Sequence, residues 1–179
     1  MLVTEYQYLS RVSAEHYNGI QQWLDGMRAV FSAALYQYGY VGNASTNGKV
    51  SQAGTPSPSE VSVAPALLFV PITVPTPSGG APFVTNQATP VTVPALNTTA
   101  GQSRQDLVVA KLNVGQVDTY LFTVVQGTPA STGTQVDPAV PDNALVLARI
   151  TRAHGHGNIV DGNITDLRVP LKLSAAHVA

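Results

Sequence analysis

Charge is scarce in this chain: Asp, Glu, Lys and Arg make up only 11% of its 179 residues and the formal net charge is -1, about half the charged share usual in a soluble domain. A surface short of Lys and Glu but rich in Thr, Ser, Asn, Gln and Pro suits burial in a permanent oligomer or neutral polar contacts. The nine Lys and Arg residues are scattered from Arg11 to Lys172. They are not interleaved with aromatics, which argues against a nucleic-acid-binding stripe. Cysteine is absent, and this excludes a disulfide framework and thiolate metal sites. No apolar run reaches membrane-spanning length. The start, Met1 to Ser13, has no cationic stretch followed by an apolar core, so no signal peptide is expected. The length fits one main domain.

What is present divides into two kinds of pattern. From Ser13 to Tyr38 the residues Tyr17, Ile20, Leu24, Met27, Phe31, Ala34 and Tyr38 follow at alternating spacings of three and four, which predicts an amphipathic helix. Ser13 is a suitable N-cap, and the glycines of Tyr38-Gly39-Tyr40-Val41-Gly42 supply its end. The seam reads either as an oligomer or docking interface, built on Tyr17, Ile20, Leu24, Met27, Phe31 and Tyr38, or as a helix packed on its own domain. Tyr6, Tyr8, Trp23, Tyr36 and Tyr40 add an aromatic cluster that suits an assembly interface or, alternatively, a platform for sugars.

Residues 43–58 are rich in Gly, Ser, Thr, Asn and Pro without periodicity, and are read as a linker or extended arm. Three segments follow: an N-terminal helix and docking segment (1–42), the linker (43–58) and a β-rich module (59–179). In the last, short apolar runs alternate with turn residues: Val61 to Val70, Ile72 to Val74, Pro82 to Val84, Val91 to Val93, Leu107 to Leu112, Tyr120 to Val125, Leu145 to Ile150 and Val169 to Leu173. The expected fold is mainly β, an antiparallel sandwich or barrel-like domain, with the prolines at edges and corners. The nearly continuous runs around Leu107 to Ala110 and Leu145 to Ala148 predict central strands covered on both faces.

Enzymatic frames are missing. There is no H-E-x-x-H, no G-x-S-x-G and no phosphate-binding glycine loop, and no paired carboxylates at a spacing that suggests glycoside hydrolysis. Neither an enzyme activity nor a cofactor is expected. Two constellations stand out. Arg104 and Asp106 fall on one face of a strand, and Asp166 and Arg168 repeat the spacing in reverse. They read either as cross-strand ion pairs that fix register or as four unrelated surface charges. His154-Gly155-His156 offers two imidazoles on an extended chain to a metal, or two solvated loop histidines.

Five elements recur in order: Arg104-Gln105-Asp106-Leu107-Val108-Val109-Ala110, then Tyr120 to Val125, then Gly127-Thr128-Pro129-Ala130, then Asn143-Ala144-Leu145-Val146-Leu147-Ala148-Arg149-Ile150, and finally Ile164-Thr165-Asp166-Leu167-Arg168. From Glu60 to Arg168 this set resembles a module of tailed-bacteriophage minor tail, baseplate and tail-fibre proteins. The proline-rich stretch from Pro71 to Pro94 departs from the usual form. The resemblance implies a virion protein made in the bacterial cytoplasm, acting in assembly or host attachment rather than in a reaction. Its expected partners are other virion proteins and further copies of itself, with a homotrimer favoured, or a saccharide of the host surface. By analogy with trimeric fibres, a trimer would bring three copies of His154 and His156 to its axis. Rival readings are a receptor-binding saccharide-recognition domain and a capsid decoration or head-fibre protein.

Overall fold

A computed structural model describes residues 38–73, 79–113 and 119–171. The helix expected over Ser13 to Tyr38 lies outside these residues, as do Tyr17, Ile20, Leu24, Met27 and Phe31; Tyr38 alone falls within them, exposed and in no regular element. Among the described residues the fold is mainly β, in antiparallel sheets that do not close into a barrel.

The N-terminal half is a bent ribbon. Strands β1 (Gly39–Tyr40), β4 (Ala66–Ile72) and β5 (Gly79–Thr85) make one three-stranded sheet, and β2 (Val50–Gln52), β3 (Glu60–Val63) and β6 (Thr89–Thr92) make another. The pairings are parallel accounts of one another: β1 with β4 and β4 with β5 in the first, β2 with β3 and β3 with β6 in the second. The three chains therefore pair twice, before and after a corner. The corner in the middle chain is Ala64-Pro65, so the run Val61 to Val70 that reads as one strand is two. Proline lacks the N–H a continuous ladder would use there. Segment 43–58, expected as a linker, supplies β2 and buries Val50 and Ala53.

The C-terminal half is one larger sheet of β7 (Gln102–Asn113), β8 (Thr119–Val125), β9 (Ala130–Ser131), β10 (Ala144–Ala153) and β11 (Ile164–Asp166), with β7 paired to β10, β8 and β9. The register shifts between Val146 and Ala148, leaving Leu147 as an inserted residue. Leu147 and Ala148 are both buried in the main core, as expected of a bulge that turns successive side chains to one side. This explains an unbroken apolar run in a strand with alternating faces.

One face of the large sheet presents Val108, Ala110, Leu112, Leu145 and Ile150 to a core shared with Val61, Val63, Leu68 and Val70 of the ribbon. Each fully buried Val, Leu or Ile there contributes about 1.5–3 kcal/mol. The opposite face of β7 buries Leu107 and Val109 with Ala144. On that side Arg149 lies opposite Leu107 and clasps Asp137 through two side-chain contacts, its Nε at 2.5 Å from Oδ1. This holds the connection between β9 and β10, in which Gln135, Pro138 and Pro141 are the half-buried positions, the three-residue period of an extended polyproline-like strap.

The registers also give the domain two ends. At one end β4 finishes at Ile72, β5 starts at Gly79, β7 finishes at Asn113, β8 starts at Thr119 and β10 starts at Ala144. Asn143 seals this end: its Oδ1 accepts from Thr73 N at 2.6 Å, its carbonyl accepts from Leu112 N at 2.9 Å, and it adopts a left-handed conformation with φ of 54°, tolerated by Asn. At the other end lie the loops before β3, after β6, between β8 and β9, and after β10.

Candidate functional site

The chemically most loaded place in the described residues is the second of these ends. Arg104 and Asp106 project from β7 on the core side, and Arg152 projects from β10 directly opposite Arg104. All three are buried, Arg104 and Asp106 completely. Asp106 Oδ2 accepts from Arg104 Nη2 at 2.9 Å and from Arg152 Nη2 at 3.1 Å, and Oδ1 accepts from Gly127 N at 3.0 Å. Arg104 Nε also lies 2.8 Å from Oδ1, an ion contact without hydrogen-bond geometry.

One carboxylate faces two guanidiniums, so the remaining donors need neutral acceptors. Arg104 donates to Ala95 O at 2.9 Å, Asn97 Oδ1 at 2.6 Å and Pro94 O at 3.0 Å. Arg152 donates to Pro58 O at 3.0 Å and Pro94 O at 2.6 Å. Burial pushes the Arg152 guanidinium below its ordinary value, a shift opposed by its hydrogen bond to Asp106. The carbonyls come from segments with no ladder of their own, so the cluster gives two loops a fixed floor. Arg104, read from sequence as one of four charges in register pairs or on the surface, is an internal staple.

Gly127 completes the cluster by close approach. A Cβ at this position would lie 1.9 Å from Gln105 O, so only glycine lets the turn after β8 come near enough for its N–H to reach Asp106. Arg152 and Gly127 were not singled out as partners of Asp106 from sequence. A signal for Arg152 exists, since it continues the every-second-residue series from the buried Ile150.

Asp166 and Arg168 do not cross to Arg104 and Asp106. β11 pairs with β10, with Asp166 opposite Ala148, and the two residues pair with each other: Arg168 Nε donates to Asp166 Oδ1 at 2.8 Å and Nη2 to Oδ2 at 2.6 Å. Arg168 also donates to Ala44 O at 2.6 Å and to Asn47 O, and its guanidinium lies 5.1 Å from the centre of the Tyr40 ring. It thus clasps segment 40–47 to the C-terminal strand. Beside it Tyr40 N donates to Val169 O at 3.0 Å and Leu171 N to Tyr40 O at 2.9 Å. The Arg168 guanidinium holds the Asp166 carboxyl below its ordinary range.

His154 and His156 are exposed on a turn in which His156 N donates to Ala153 O at 3.1 Å, not on an extended strand. His154 Nδ1 lies 2.7 Å from Thr98 O; a carbonyl can only accept, so this nitrogen carries the proton. His156 Nδ1 accepts from Ala153 N at 3.4 Å, which places the proton of the neutral ring on Nε2. Among the described residues no three His, Asp or Glu side chains group as a metal site, and no helix is long and apolar enough to cross a membrane.

No protein-family model, curated protein or solved structure matches this chain.

Proposed function

We propose that this chain is a structural component of a tailed-phage virion, a tail, baseplate or fibre protein that acts in assembly and host attachment and catalyses no reaction. The observation that carries the reading is the use made of the polar residues in the resembling motifs. Arg104, Asp106 and Gly127 hold one another and the loops around them, and Asp166 and Arg168 hold the segment that follows Tyr38. Most of the donors and acceptors of these groups are taken up by backbone and by each other. Residues that serve a reaction need a free reacting face and a convergent acid, base or nucleophile.

The N-terminal segment with its seam of Tyr17, Ile20, Leu24, Met27 and Phe31 is the docking or trimerising element in this reading. The scarcity of charge suits an exterior much of which is covered by copies or neighbours. Mass spectrometry of purified particles from the strain that encodes the chain tests the proposal. Peptides of the chain that co-purify with tails at stoichiometric level are expected, and their absence from intact particles would overturn it. Light scattering coupled to size exclusion reads the oligomer: three chains per particle are expected, and a monomer that stays monomeric at high concentration removes the trimer.

A further inference from the structure

The edge of a sheet presents a row of backbone N–H and C=O groups to any strand that can pair with them, and proteins blunt such edges with short strands, proline, glycine or charge. Among the described residues every edge strand but one is blunted in this way. β1 and β9 are two residues long, β2 and β11 three, and β11 ends on Asp166; β5 carries Gly79, Gly80 and Pro82, and β6 carries Pro90. β8 is the exception. Its seven residues, Thr119–Val125, include no Gly, Pro or charge, and they pair with β7 without a register shift. No described strand pairs with its other side. The core is open along the same edge. Val108 and Ala110 of β7 are buried, whereas Val124 and Phe122, opposite them in β8 and on the same face, are only partly so. Tyr120 beside them stacks on Phe83 at 5.2 Å and remains exposed. On the outer face of β7 and β8 the one charged residue is Lys111.

We propose that residues 2–9 of this chain add a strand to the outer side of β8 and close the core there. The capping of β8 goes beyond the virion reading and does not depend on it. Leu2-Val3-Thr4-Glu5-Tyr6-Gln7-Tyr8-Leu9 matches the length of β8, has no Gly or Pro, and is rich in the β-branched and aromatic types that favour strands. Its alternation fits the edge. Leu2, Tyr6 and Tyr8 share one face and extend the row of Phe122 and Val124, where aromatic and β-branched neighbours pair well. Glu5 and Gln7 fall on the other face with Lys111, so the single charge of the segment is opposite in sign to the single charge of the face it joins. The tether reaches. Residues 10–37 lead from this segment to Tyr38, which enters near the end of β4 from which β8 also starts. The β8 edge is about 23 Å long at 3.3 Å per residue, and even a continuous helix over residues 13–38 would span about 39 Å. A tethered strand acts at an effective concentration on the order of millimolar, which places it on its own edge ahead of a second copy in dilute solution.

Amide hydrogen exchange of the full chain, read residue by residue by NMR, tests the capping. The alternate β8 amides that point away from β7 are expected to be protected in the parent. Tyr6→Pro removes an N–H from the added strand and breaks it, so those amides should exchange about tenfold faster or more, while β7 and β10 keep the parent rates. Exchange at free-edge rates in the parent, or equal β8 rates in parent and variant, would overturn the proposal. A second measurement identifies the occupant. The chain has no cysteine, so Thr123→Cys combined in turn with Val3→Cys, Glu5→Cys and Gln7→Cys supplies the only thiols, all on the outer face. Directly opposite residues of paired strands lie within disulfide reach. One of the three pairs is expected to close within a single chain on mild oxidation, giving a cross-linked monomer on a non-reducing gel. Cross-links only between chains would assign the edge to a second copy, and either that result or no cross-link in any pair contradicts the assignment.

Discussion

Arg104-x-Asp106 and Asp166-x-Arg168 are built from the same two residues at the same spacing, yet they do different work. The first pair is buried in β7, joined by Arg152 and Gly127, and sets the floor of a loop crown. The second spans β11 and the residues after it, where Asp166 is half exposed and Arg168 reaches back to Ala44 and Asn47. Depth decides the energetics. A buried charge deprived of its partner cannot recover water, whereas an exposed carboxylate can.

The largest expected effect follows from removing the one anion of the buried cluster. Asp106→Ala leaves two guanidiniums facing each other under the crown and should cost about 3–5 kcal/mol, read as the loss of unfolding free energy in urea. Replacing Arg104, Asp106 and Arg152 together by Met, Leu and Met should recover most of that loss, because it is the stranded charge that is costly. A triple variant as unstable as Asp106→Ala would break this explanation.

Gly127→Ala comes next, at roughly 3 kcal/mol, because the new methyl would have to displace Gln105 O and pull the N–H from Asp106. Thermal unfolding measures it. Arg168→Ala should cost about 1–3 kcal/mol, chiefly in local stability. Amide exchange should accelerate in residues 40–49 and remain near the parent rate in β7. Smallest is Arg149→Ala, which loses only the clasp to the exposed Asp137 and should cost about 0–1 kcal/mol, less still at high salt.

Asp166 sharpens the comparison by pH. Its folded value is depressed by Arg168 below the ordinary 3.8, so the stability it adds is present above that ordinary value and is lost as pH falls through the depressed one. Asp166→Asn should therefore lower the neutral plateau by the small amount the clasp adds, converge with the parent in acid, and flatten the acid limb below pH of about 4. An acid limb identical to that of the parent would show that the clasp does not contribute.

How much of this was legible in the residues follows from what each signal depends on. Alternating and continuous apolar runs report burial, and they located β7, β8 and β10 and the mainly β class. They do not report pairing. The corner at Pro65 and the bulge at Leu147 arise from how chains meet, so a single run became two strands and a linker became a strand with a buried Val50. The same limit applies to the site. Parity placed Arg104 with Asp106 on one face, but nothing local says whether that face meets water. That depended on Pro58 and Pro94 arriving from elsewhere in the chain with free carbonyls.

The most direct test sets the two aspartates against each other: urea midpoints of Asp106→Asn and Asp166→Asn, measured side by side at neutral pH. Both changes remove one negative charge and keep the shape. A fall for Asp106→Asn several times larger than for Asp166→Asn is predicted, and equal falls would contradict the division between a buried staple and a half-exposed clasp.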